Sequence, residues 1–149
     1  MFFNTDDLSD GEIYLKLDRT ADENIEKGYV PAYYFEITRV SDNVGLGRCD
    51  LRVGHNDNTY YGGNIGYEVY EEYRGQHYAG KACKLLFTLA KKHSLENVVI
   101  TCSPENIASR KTCEYSGCVL EKIVILPEWH DMYKDGRRTT CRYVIDITK

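Results

Sequence analysis

Between residues 67 and 82 the chain reads Tyr-Glu-Val-Tyr-Glu-Glu-Tyr-Arg-Gly-Gln-His-Tyr-Ala-Gly-Lys-Ala. An alternating apolar segment passes through a loop bearing Arg74, Gly75 and Gly80 and enters a helix-forming stretch. Such a loop turns several backbone N–H groups toward one point, and the helix behind it adds the positive end of its dipole. That is chemistry for holding a phosphate without a metal. Glycine at 75 and 80 permits tight turns and close approach of an anion to the main chain. The dinucleotide pattern G-x-G-x-x-G is absent, and although Gly75, Gly80 and Lys81 have the spacing of a nucleotide triphosphatase loop, Ala82 stands where a magnesium-binding hydroxyl is required. An ATPase is therefore not expected. On the strand leading into the loop, Glu68 is a candidate base whose pKa partial burial would raise. The competing reading is a solvated carboxylate like Glu71 and Glu72 beside it. Strand alternation sends Tyr67 and Val69 to the face opposite Glu68.

The elements that must position these groups follow from patterning. Glu12 to Leu17, Tyr33 to Arg39, Leu46 to Val53 and Asn64 to Val69 read as strands joined by short turns, the last connection running through His55-Asn-Asp-Asn-Thr. They predict an antiparallel meander. The period then changes: Ala82, Leu85, Leu86, Leu89 and Ala90 form an apolar helical stripe, with Lys81, Lys84, Lys91 and Lys92 on the other face. Val98 to Cys102 is a short buried strand, and strand, helix, strand is a crossover that predicts parallel neighbours. Pro104, Asn106 as N-cap and Gly117 after the last turn frame a second helix. Val119 to Leu126, a polar loop and Thr139 to Ile147 make a closing hairpin. The prediction is a mixed α/β (α+β) single domain over residues 1–149: antiparallel meander, β-α-β-α crossover, C-terminal β-hairpin.

Composition narrows the partners. The length suits one domain with a real core, and a 42% hydrophobic fraction is ordinary for a globular chain. A net charge of −4 disfavours nucleic acid and suits cationic or amine ligands. No apolar run is long enough to span a bilayer, and Met-Phe-Phe-Asn-Thr-Asp-Asp lacks the basic and apolar regions of a signal peptide, so a cytoplasmic protein is expected. The six cysteines lie at 49, 83, 102, 113, 118 and 141 with no metal-ligand spacing; reduced, buried thiols and no metal are expected.

Two motifs then coincide. Arg74-Gly75-Gln76-His77-Tyr78-Ala79 resembles the Arg/Gln-x-x-Gly-x-Gly/Ala signature of GNAT-type N-acetyltransferases, with His77 replacing the first required glycine. Asn106-Ile-Ala-Ser109 with Glu114-Tyr-Ser-Gly117-Cys118 is similar to the Asn-x-x-Ser…Glu-Lys-x-Gly-Phe pattern of the branch containing ribosomal-protein alanine acetyltransferases, and Gly66-Tyr67…Val69 fits the same branch. The resemblance runs from about Leu46 to Ile147, and its element order is the one read from periodicity.

The resemblance implies acetyl-CoA as co-substrate, its pyrophosphate on the loop from Gln76 to Lys81 and its pantetheine arm between splayed strands beside Val69. Arg74, Gly75, Gln76, His77, Tyr78, Ala79, Gly80, Lys81 and Asn106 would then join Val69 in binding cofactor. A backbone N–H of the strand would polarise the thioester while an unprotonated amine attacks directly. Cys113 occupies the position of the family's usual tyrosine acid, which brings Ser109 forward for the departing thiolate; helix capping or a bond to the preceding turn is its alternative role. Imidazole at 77 either adds a hydrogen bond to phosphate or points to solvent. The acceptor is an amine of a small molecule or a protein N-terminus, with a non-catalytic CoA-binding module as the rival reading and transfer to a hydroxyl a weaker third. The region before Leu46 is short, so part of the acceptor-side helical cover is expected to be missing.

Other candidates are blander. His55, His93 and His130 read as solvated, Arg137, Arg138 and Arg142 as a solvated basic face. Trp129-His130-Asp131 is a possible acceptor wall, Tyr115 is packing or surface, and some of the thirteen tyrosines, Tyr60, Tyr61, Tyr67, Tyr70 and Tyr73 among them, could line an acceptor cleft. The sheet edge of the final hairpin is available for a homodimer.

Overall fold

A computed structural model of the chain describes residues 1–149. Strands β1 (Ile13–Ala21), β2 (Ala32–Arg39), β3 (Gly45–Arg52) and β4 (Ile65–Val69) form the predicted antiparallel meander, in that order across the sheet. Alternation decides its two faces. Tyr33, Phe35 and Ile37 of β2 turn inward with Leu46, Cys49 and Leu51 of β3, all buried, while Tyr34, Glu36, Arg48 and Asp50 take the outer face.

A helix the turn-rich sequence did not announce, α1 (Asp57–Gly62), fills the β3–β4 connection. Asn56 caps it reciprocally with Thr59: Asn56 Oδ1 accepts from Thr59 N and Thr59 Oγ1 accepts from Asn56 N, each at 2.9 Å. Threonine at that third position does the work that glutamate does in the usual signature, which is why the turn formers concealed a helix. Beyond β4, α2 (Tyr78–Lys92) lays Ala82, Leu86, Leu89 and Ala90 on the inner face of the sheet. Each buried leucine there contributes roughly 1.5–3 kcal/mol of apolar burial.

β5 (Asn97–Cys102), α3 (Ile107–Tyr115) and β6 (Val119–Ile125) follow, then a short α4 (Asp131–Lys134) inside the loop expected to be irregular, then β7 (Thr139–Asp146). The closing hairpin is present, but β7 lies between β5 and β6, leaving β6 as an exposed edge. The expected parallel ladder between β4 and β5 is not formed; the two strands belong to separate antiparallel sheets. Asn64 pins them at one end: its N–H donates to Val99 O, and its Oδ1 accepts from Val99 N at 2.9 Å. Past that pin the strands part. One contiguous core of 25 buried residues runs under both sheets.

Candidate active site

The gap beyond Asn64 is a cleft of about 500 Å³ between β4 and α3, with the α2 N-terminus at its mouth. Its lining includes Tyr67, Glu68, Val69, Arg74, Gly75, His77, Ala79, Asn106, Ser109 and Lys111. Residues singled out from two distant motifs are thus brought together by the crossover.

At the mouth, no backbone N–H from Gly75 to Gly80 donates to a protein acceptor. Gly75 at φ +90° and His77 at φ +62° bend the chain so that these amides precede and open α2. Lys81 departs from expectation twice. Its amide is already spent on His77 O at 2.9 Å, and its ammonium pairs with Glu12, which raises its pKa. It is the first residue whose N–H has a helical partner, so the free run ends at Gly80. Tyr78 contributes only its amide, since its ring is buried in the core, and the Gln76 side chain is not part of the cleft wall. Arg74 turns back, its Nε donating to Val69 O at 2.9 Å.

His77 is exposed, as the solvent-pointing reading expects, and its side chain does not cap the helix. Its ring stacks on Tyr115, with centroids 4.2 Å apart and planes within 5°. Tyr115 in turn lies against the backbone of Gly80, where an added Cβ would sit 2.3 Å from Tyr115 Cδ1.

Deeper in, Asn106 is the N-cap of α3 as expected, accepting from Ser109 N at 3.0 Å. The Ser109 hydroxyl bonds neither a cap nor the previous turn. It meets the hydroxyl of Tyr67 at 2.5 Å, with Cys113 Sγ 4.0 Å from the same phenol. Tyr67 is the functional candidate that sequence reasoning left among generic tyrosines; its signal was alternation, which put it on the face opposite Glu68 and hence on the α3 side. Burial pushes its phenol well above the ordinary value, followed by the neighbouring Cys113 thiol. Behind this pair, the coupled Cys102 and Cys113 thiols shift apart, Cys102 lowered by its Cys113 neighbour and Cys113 raised by Cys102 and by burial. All six cysteines are free and buried, as expected.

β4 presents two edges to this site. Tyr70 N donates to Leu46 O, so Val69, paired with Gly47 between ladder bonds, turns its own N–H toward the cleft. Glu68 points the other way. Of the two readings open for it, the solvated carboxylate holds: it is exposed, on the outer sheet face, because residues 22–31 join β1 to β2 without a helix to cover that face. There it borders a second groove, about 620 Å³, lined also by Lys16, Arg19, Tyr34, Glu36, Arg48 and Asp50. Tyr67 and Glu68 line both spaces. Burial raises the Asp50 carboxyl, partly offset by Arg52 at 3.1 Å.

The remaining sequence candidates are structural. His130 is buried; its Nδ1 accepts from Met132 N, so Nε2 carries the proton and donates to Asn58 O at 3.2 Å, tying α4 to α1. His93 bonds the Tyr33 hydroxyl at 2.6 Å. Arg142 is buried against Tyr60 and paired with Glu121 at 2.9 Å, not solvated. Trp129 is exposed and borders neither cavity.

The comparison that decides the family is a match of residues 1–119 to the acetyltransferase (GNAT) domain. The chain belongs to that family. Acetyl transfer from acetyl-CoA, expected from the paired motifs, is the activity of that family. Solved structures agree on the architecture. A GNAT-family acetyltransferase from Bacillus anthracis superposes with TM-score 0.63 at 20% identity, covering 78% of this chain and 67% of that one. A ribosomal-protein-S5-alanine acetyltransferase from Vibrio fischeri gives 0.61 at 17%, covering 79% and 63%. The microcin C7 self-immunity acetyltransferase MccE, solved with acetyl-CoA and AMP, gives 0.61 at 20%, covering 77% and 61%. This chain thus spans about two thirds of the length of such neighbours. No curated protein matches it significantly in sequence. No helix is long and apolar enough to cross a membrane.

Proposed function

We propose that this GNAT acetyltransferase holds acetyl-CoA in the β4–α3 cleft and acetylates a primary amine that arrives over the outer face of the first sheet. The observation that carries this reading is that Tyr67 and Glu68, neighbours on β4, front two cavities on opposite sides of one strand. The free amides of residues 75–80 take the pyrophosphate, where the helix dipole favours negative charge. The pantetheine arm runs along β4, and the inward N–H of Val69 stabilises the oxyanion as the amine attacks.

Glu68 draws the ammonium into the groove and accepts its proton, directly or through one water, before the neutral amine attacks the thioester carbon. Collapse of the tetrahedral intermediate breaks the C–S bond. The Tyr67–Ser109 hydroxyls keep their protons more tightly than a CoA thiol would, so they supply hydrogen bonds to the departing sulfur rather than a complete proton transfer. The proton for the thiolate comes from the acetylated nitrogen. Peptide N-termini and small-molecule amines both fit an open groove of alternating charge, and the neighbours that act on ribosomal proteins support the former. Six reduced thiols support a cytoplasmic setting. The single core supports one domain over 1–149, and the open β6 edge supports a homodimer formed by strand pairing, which sedimentation of the wild type beside Ile123→Lys tests.

The deciding assay is release of the CoA thiol from acetyl-CoA against a panel of amines: spermidine, lysine, and peptides with free alanine or serine N-termini. Release with one of them, reduced roughly 10²-fold in Glu68→Gln, supports transfer. Binding of acetyl-CoA with no release to any amine or alcohol would favour a CoA-binding module instead.

A further inference from the structure

We infer that the His77–Tyr115 pair is a stacking platform that grips the adenine of CoA, a role resting on the cofactor site proposed above. Histidine at 77 is an anomaly that asks for a compensating use. It occupies the left-handed region at φ +62°, ψ +22°, where a side chain costs on the order of 1 kcal/mol that glycine would avoid. Its ring is not left loose. It lies parallel over Tyr115 with centroids 4.2 Å apart, an arrangement that needs the two helix ends in register.

Tyr115 is itself held from two further sides. Its edge packs on Gly80, a position where any Cβ would collide with it, and the Lys84 ammonium stands 4.7 Å over its ring. The platform therefore bridges the first turn of α2 and the last turn of α3. One face of the imidazole is covered by Tyr115, and His77 also lines the cleft beside the unpaired amides. A pyrophosphate on those amides leaves its adenosine end at the mouth and its pantetheine end inside. A purine has a flat π-face of the right size to continue the Tyr115–His77 stack, and base–aromatic stacking is sequence-tolerant and strong enough to matter. Lys111 on the cleft wall and Lys84 over the Tyr115 ring are cations of the sort a ribose 3′-phosphate would meet.

Calorimetric titration of the wild type, His77→Gly, His77→Phe and Tyr115→Ala with acetyl-CoA and with S-acetyl-4′-phosphopantetheine, which lacks the adenosine, separates the possibilities. The platform predicts about ten-fold weaker acetyl-CoA binding in His77→Gly and Tyr115→Ala. It also predicts near wild-type binding in His77→Phe and no change in phosphopantetheine affinity for any of them. Equal or tighter acetyl-CoA binding by His77→Gly overturns it, as does a loss in His77→Phe equal to that in glycine, which would mean an imidazole–phosphate contact. Failure of the wild type to bind either thioester overturns the cofactor reading itself, and this inference with it.

Discussion

Tyr67 carries its hydroxyl across the cleft to Ser109, and neither group has another acceptor beyond the Ser109 carbonyl and a distant thiol. In the proposed mechanism, removing one hydroxyl leaves the other to face the departing sulfur. Tyr67→Phe and Ser109→Ala are therefore each expected to lower kcat about 10- to 10²-fold with little change in the KM for acetyl-CoA, and the double variant to lose less than the product of the two. Steady-state kinetics of the three variants checks this; full additivity would show that the hydroxyls act separately. A second residue-scale expectation concerns His93. Phe3 N donates to the Tyr33 oxygen at 2.8 Å, which leaves the Tyr33 proton free to go to a neutral His93 Nε2 at 2.6 Å. Burial first, then the positive N-terminus, lower the His93 pKa from its ordinary 6.5. With the folded pKa below the unfolded one, the unfolded chain binds the extra proton, so this contribution is complete above 6.5 and drains away as pH falls through the folded value. The Tm should fall between pH 7.5 and 5.5, and His93→Gln should flatten that slope.

At the scale of elements, the cleft exists because β4 and β5 are joined at Asn64 and nowhere further along. The fully buried Asn64 side chain donates to Arg52 O and Gly54 O at 3.1 and 2.8 Å and accepts from Val99 N, linking β3, β4 and β5. Asn64→Leu strands three backbone partners, two carbonyls and one N–H, in a dry site. A loss of about 3 kcal/mol or more in urea unfolding is expected; a loss under about 1 kcal/mol would mean that the sheets are held elsewhere. The entrance to α2 makes a smaller test. Gly80→Ala gains about 1 kcal/mol of helix propensity but drives a methyl into Tyr115. Net destabilisation, with acetyl-CoA binding weakened alongside, is the expected sign.

For the whole molecule, the cofactor would fill the wedge between two sheets that otherwise meet at one pin, so ligand and fold are coupled. Acetyl-CoA at a hundred times its Kd should add about 2.7 kcal/mol to unfolding stability, read as a rise in Tm. The open outer face has a consequence on the same scale. Lys16, Glu36, Arg48 and Glu68 are paired in register across all four strands, a row of alternating charge ending at the cleft. No helix between β1 and β2 covers this row, which is the surface the proposed acceptor would meet.

What local pattern controls was readable in advance. The period-2 strands, the apolar stripe from Ala82 to Ala90, the Asn106 cap and the glycine-bearing loop are each fixed within one segment, where side-chain spacing and turn chemistry act directly. That was enough to place the glycine-bearing loop and the second motif on the correct elements, and through them the family. The tertiary structure decided what depends on residues far apart in the chain. Tyr67 meeting Ser109, Tyr115 receiving His77, Arg142 disappearing under Tyr60, and β4 parting from β5 beyond Asn64 are contacts between segments whose own sequences are indifferent to one another. Glu68 shows the same division: alternation put it opposite Tyr67, but its exposure follows from how little chain lies between β1 and β2, a matter of what is left to cover the sheet rather than of the residue itself.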